Sequence, residues 1–133
     1  MLDPIATAAA PAGALAVLVV EDNLDSQYLV CEMLKVFGYE ADGIAHAEGA
    51  LELLAAKPYD VLFTDVGLPG MSGVALARLA LAGQSGLRVI FASGYGDSLL
   101  GHVEFAHQAM QKPYDIEQLH RVLMAIDAAR RNA

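Results

Sequence analysis

The sequence predicts an α/β domain: a doubly wound, five-stranded parallel sheet with helices on both faces. Three observations predict it. Short apolar runs recur along the chain, at LAVLVV, YDVLFT and LRVIFA. Stretches with apolar residues at helical spacing lie between them. Glycine and proline stand near the junctions, where one element must stop and the next begin. Nearly continuous apolar strands separated by helices imply a parallel sheet covered on both faces. Right-handed crossovers then place helices on each side of it.

The elements follow in order. Residues 15–20 read as a buried first strand. EDN comes next, and either Asp22 or Asn23 suits a helix cap. Leu24, Tyr28, Cys31 and Leu34 form a stripe at helical spacing, and Gly38 ends that helix. YEADGIA, residues 39–45, alternates loosely and reads as a less buried second strand. Ala47, Ala50, Leu51 and Leu54 mark a second helix, stopped by Pro58. YDVLFT is the third strand and runs up to Asp65. Val74, Ala77, Ala80 and Leu81 mark a third helix ending near Gly83. LRVIFA is the fourth strand. A short fourth helix is expected over residues 98–106, on the few apolar anchors Leu99, Leu100 and Val103. QAM reads as a brief fifth strand before Lys112. Ile116, Leu119, Val122, Leu123 and Ile126 give the clearest amphipathic helix, which closes the fold.

Composition bounds the function. The chain has 133 residues, enough for one domain with a real core. Asp and Glu outnumber Lys and Arg 16 to 8, for a formal charge of -8. Such acidity argues against direct nucleic-acid binding. No stretch approaches the roughly 20 apolar residues of a membrane span, so no membrane partner is expected. The start of the chain lacks the basic residues of a secretory signal. The lone Cys31 can form no internal disulfide and sits on an apolar helix face, which fits a buried thiol in a reducing compartment. A cytoplasmic location is expected. Residues 1–13, rich in alanine, read as a flexible tail, and residues 14–130 as the domain.

In a parallel sheet all strands end on the same edge, and ligands bind there. Glu21 and Asp22 follow the first strand. Asp65 follows the third, Ser93 the fourth and Lys112 the fifth. Taken singly, each has a bland reading as a cap or turn residue. Together they place three carboxylates, a hydroxyl and an ammonium on one small site. Three clustered acids repel and raise one another's pKa unless a cation shares the site. Hard oxygen donors of this kind suit Mg²⁺. A divalent cation with Lys112 could neutralise an incoming phosphoryl group. A carboxylate can itself be the nucleophile and form an acyl phosphate. Asp65, with open glycines after it, is the candidate.

The motifs VVEDN, DVGLPGMSG, FASG and QKP, in this order, resemble the receiver domain of two-component response regulators. The resemblance covers roughly residues 14–130. It implies a flavodoxin-like sheet of strand order 2-1-3-4-5. It makes Asp65 the phosphoacceptor. Asp22 and the backbone carbonyl of Gly67 would bind Mg²⁺ directly, and Glu21 largely through water. Ser93 would hydrogen-bond the phosphoryl group and Lys112 would pair with it. The Lys112–Pro113 bond would be cis, as is common in the family. A histidine kinase or a histidine phosphotransfer protein would be the phosphodonor, and phosphorylation would switch the surface formed by the fourth strand and fourth helix. Leu68 replaces the usual methionine, a volume-conserving change. The family's aromatic residue three before the lysine is absent: the position is Ala109. FASGY is similar to the FATGY motif of a receiver subset, which makes Tyr95 a candidate replacement switch.

Two other readings compete. A turnover phosphatase or phosphotransferase with an aspartate nucleophile would resemble haloacid-dehalogenase-like enzymes, which carry a second acid two residues after the nucleophile. Here that residue is Gly67. A phosphorylation-independent adaptor would not need the intact set Glu21, Asp22, Asp65, Ser93 and Lys112. The expectation is therefore a phosphoacceptor and not a conventional enzyme, with no room after the last helix for an output domain.

Overall fold

The computed structural model describes residues 15–94 and 100–131. The expected tail and Tyr95 lie outside the described residues. Within them the order is β1 (Ala16–Val20), α1 (Leu24–Val36), β2 (Glu40–Ile44), α2 (Ala47–Ala56), β3 (Val61–Asp65), α3 (Gly73–Gly83), β4 (Arg88–Ser93), β5 (Gln108–Gln111) and α4 (Ile116–Arg131). The strands form one parallel sheet in the order β2-β1-β3-β4-β5. This is the expected doubly wound, flavodoxin-like arrangement.

Strand side chains alternate between two cores because successive residues point to opposite faces. Leu18, Val20, Leu62, Val89 and Phe91 face the side covered by α2 and α3, where Ala50, Leu54, Leu76 and Ala77 meet them. Val17, Val19, Val61, Phe63 and Ile90 face the side covered by α1 and α4, against Leu34, Leu119 and Leu123. The central strand β3 is buried along its whole length. The edge strand β2 is only partly buried, in keeping with its loose alternation.

The ends follow local chemistry. Asn23, not Asp22, caps α1: its side chain accepts the Ser26 N–H at 2.9 Å. Asp22 is thereby left for other work. Gly38 takes φ +95° after α1, a region where a side chain is strained. Ser72 caps α3 through the Ala75 N–H at 3.1 Å.

Two expectations fail. The buried face of α1 is Val30, Cys31 and Leu34, while Leu24 and Tyr28 are 67% and 69% exposed. In that first turn it is Gln27 that faces the sheet: it donates to the Glu21 carbonyl and lies against Gly43 of β2, where a Cβ would overlap its side chain. The expected fourth helix is also absent over the described part of its range. Residues 100–106 form turns and irregular chain. A helix there would need about three residues fixed for its first bond, and Gly101 and β-branched Val103 make that nucleus costly. The segment is held by side chains instead. Arg78 on α3 grips Glu104 in a bidentate pair, at 2.8 and 2.9 Å. Phe105 and His107 pack against buried Phe91, with ring centroids 6.1 and 5.4 Å away.

Candidate functional site

Register brings the expected residues together. Val20 pairs with Thr64, so Glu21 and Asp65 leave neighbouring strands side by side. Asp65 pairs with Ala92, which sets Ser93 one step beyond it on β4. Ser93 pairs with Gln111, and the Lys112 N–H donates to the Ser93 carbonyl at 2.8 Å. Four strand ends therefore deliver Glu21, Asp22, Asp65, Ser93 and Lys112 to one edge of the sheet.

The carboxylates of Glu21, Asp22 and Asp65 each place an oxygen within 4.8 Å of the others. Glu21, Asp65 and Ser93 are buried, whereas Asp22 is exposed. Lys112 reaches into this cluster from the end of β5. Its Nζ lies 2.5 Å from Asp65 Oδ1 and 3.3 Å from Glu21 Oε1. Burial alone would pull the Lys112 pKa down, but its hydrogen bond to Asp65 and the charges of Asp65 and Glu21 outweigh that and hold it above its ordinary value. One ammonium thus offsets part of the charge of three carboxylates. The donor set fits a small hard cation: several oxygen ligands, one of them open to solvent, with negative charge left over.

The surroundings position these groups. Glu21 Oε2 accepts the Asn23 N–H at 3.0 Å, and Gln27 Nε2 donates to the Glu21 carbonyl at 2.9 Å. Thr64, fully buried, donates its hydroxyl to the Asp65 carbonyl at 3.0 Å. Gly73 at the start of α3 lies so close that a Cβ there would overlap the same carbonyl oxygen. Its N–H donates to the Val66 carbonyl at 2.8 Å, closing the loop after Asp65. Gly70 turns that loop with φ +76°. A Cβ at Gly67 would meet no atom within 4 Å, so the approach to Asp65 is open on that side. The Lys112–Pro113 peptide is cis. Tyr114 follows it and packs edge-on against Phe63 at 5.6 Å. Burial, then the charges of Glu21 and Asp65, push its phenol pKa well up.

Ala109 is exposed on β5 and pairs in register with Phe91. Tyr95 is outside the described residues. Sequence reasoning missed Gln27, Thr64, Gly73 and Tyr114. Only Gly73 left a signal, as one of three glycines in GLPGMSG. The others look like ordinary helix, strand and loop residues.

The model of the response regulator receiver domain matches residues 17–124. The chain belongs to that family. It is 27% identical over 106 residues to the response regulator receiver protein CpdR of Brucella abortus, a match covering 77% of this chain and 88% of CpdR. Some other relatives are longer, and the match covers 23% and 22% of two transcriptional regulators. Among solved structures it is similar to a CheY-like receiver domain of Methylobacillus flagellatus, at 28% identity and TM-score 0.78, covering 86% of this chain and 99% of that one. The fold is also that of the response regulator TrrA of Thermotoga maritima, solved with Mg²⁺-BeF, at 24% identity, TM-score 0.77, and coverage of 84% and 98%. The protein is a receiver domain of the two-component response regulators, and the acidic cluster at its strand ends suggests a metal site.

Proposed function

We propose that Asp65 is the phosphoacceptor, and that a histidine kinase or a histidine phosphotransfer protein is the donor. A carboxylate oxygen of Asp65 attacks phosphorus. The P–N bond of the donor phosphohistidine breaks, and its electron pair stays on the imidazole nitrogen. The product is an acyl phosphate. Lys112, already paired with Asp65, moves its charge to the phosphoryl oxygens, and Ser93 donates a hydrogen bond to them. Asp22, Asp65 and the Gly67 carbonyl would hold Mg²⁺, with Glu21 acting through water. The bound cation would supply charge neutralisation for the incoming group. The domain accepts one group and holds it, and is not a turnover enzyme. Its place is the cytoplasm, with the donor.

One observation carries this reading: three carboxylates within 4.8 Å, with an ammonium already bridging two of them, at the carboxyl edge of a parallel sheet. The Mg²⁺-BeF complex of TrrA supports the cofactor. The exposed Leu24 and Tyr28 on α1, next to the cluster, support a docking partner, since apolar side chains this open are costly to leave in water. Incubation with acetyl phosphate and Mg²⁺, followed by intact mass measurement, tests the proposal. One added phosphoryl group is expected, absent without Mg²⁺ and absent in Asp65→Asn. An equal gain in Asp65→Asn would overturn it.

A further inference from the structure

A cleft of about 610 Å³ opens at the opposite edge of the sheet, where β4 and β5 begin. Five strand steps separate Arg88 from Ser93, roughly 16 Å, so this cleft is not part of the acidic site.

The lining has a definite chemistry. Leu81, Phe105 and Ile126 give it apolar walls. Arg88 lines it too. Six of the eight cationic side chains in the protein are ion-paired: Lys35, Lys57, Arg78, Lys112, Arg130 and Arg131. Arg88 makes no ion pair with a described residue, although the protein is strongly acidic. A guanidinium of this kind matches a carboxylate through two parallel hydrogen bonds. His107 adds a second constraint. Its Nδ1 lies 3.0 Å from the Phe105 carbonyl, which can only accept. Nδ1 therefore carries the proton, and in the neutral ring Nε2 is left as an acceptor. Ser85 and Gln108 complete the polar lining.

We propose that this cleft is a second binding site, for a small amphipathic carboxylate with an aromatic or branched apolar body and one hydroxyl or amide N–H. The carboxylate meets Arg88, the body lies between Leu81, Phe105 and Ile126, and the donor meets His107. The volume lies in the range of small-ligand sites. Such a site gives the domain a chemical input separate from Asp65.

The test uses 4-hydroxyphenylacetate as probe, with amide shifts followed by ¹H–¹⁵N NMR. Saturable shifts are expected at Gly86, Val89, His107 and Gln108. Arg88→Gln should weaken binding by at least about tenfold, because it removes a charged hydrogen-bond pair. The neutral 4-hydroxyphenylacetamide should be weakened to a similar degree. Gly86→Leu should abolish binding. A Cβ there meets nothing within 4 Å and the position has no positive φ, so the fold accepts it while the cleft is narrowed. Equal shifts with acetate would mean an adventitious ion only and would overturn the proposal. So would shifts centred on Asp22 and Lys112, no saturation at millimolar probe, or unchanged affinity in Arg88→Gln.

Discussion

Replacing Lys112 by methionine removes the one ammonium from the acidic cluster and keeps most of the side chain's length. That ammonium sits 2.5 Å from Asp65 and 3.3 Å from Glu21. At an effective dielectric of about 20, each pairing is worth about 5 to 7 kcal/mol of gross Coulomb energy. Most of that is offset, because folding strips water from all three charges. Breaking a buried pair by removing one partner costs about 3–5 kcal/mol. Lys112 is 36% exposed, so solvent screens the effect, and about 2–4 kcal/mol remains. The metal-free domain should therefore be destabilised by about that much. Mg²⁺ should restore part of it, since a divalent cation can take over the charge that the ammonium neutralised. Urea denaturation of both proteins, each with and without Mg²⁺, measures this directly. If metal-free Lys112→Met stays within about 0.5 kcal/mol of the parent, the ammonium does not hold the cluster together and the electrostatic reasoning fails.

Other perturbations separate the remaining roles. Asp22→Ala should weaken Mg²⁺ binding more than Glu21→Ala, because a direct ligand contributes more than one acting through water; equal weakening in a Mg²⁺ titration would contradict that division. Gly73→Ala should cost about 1–3 kcal/mol and slow phosphorylation, since its Cβ must push the Asp65 carbonyl aside; unchanged melting and unchanged rate would show that the loop adapts freely. The Arg78–Glu104 pair predicts a pH effect. The hydrogen bonds from Arg78 hold the Glu104 carboxyl down at about 2, against an ordinary value of 4.5. Its tethering of the 100–106 segment is then full above pH 4.5 and fades as pH falls toward 2. Amide protection in that segment, measured relative to the intrinsic exchange rate at each pH, should fall across this window in the parent, and already be low at neutral pH in Glu104→Gln. No difference between the two at neutral pH would remove the tether.

The parts legible in the sequence are those where one residue type has one physical use. Apolar runs such as VLF and RVIFA can hardly be anything but buried strands, and Gly38 and Pro58 stop their helices for steric reasons. The site is legible because five polar residues each fall at the end of a strand, and parallel topology makes those ends neighbours. The failures have physical causes too. Period 3.6 shows that α1 has an apolar stripe but not that polar Gln27 takes the inward place over Gly43, so Leu24 and Tyr28, both exposed, read as core residues. The segment before β5 carries enough leucine and valine to suggest a helix. What decides its form is a pair of distant interactions, Arg78 with Glu104 and Phe91 with Phe105, which local pattern cannot reveal. Thr64 and Gln27 act by hydrogen bonds to backbone carbonyls, and that too leaves no mark on spacing.

The most direct measurement fixes the position of the phosphoryl group. The protein is incubated with acetyl phosphate and Mg²⁺, treated with borohydride, and digested for peptide mass mapping. Borohydride reduces an aspartyl phosphate to homoserine and leaves free carboxylates untouched. The expected result is homoserine at position 65 alone, dependent on Mg²⁺. Homoserine at position 22, or unreduced aspartate at 65 in protein that has demonstrably gained a phosphoryl group, would contradict the assignment of Asp65 as the acceptor.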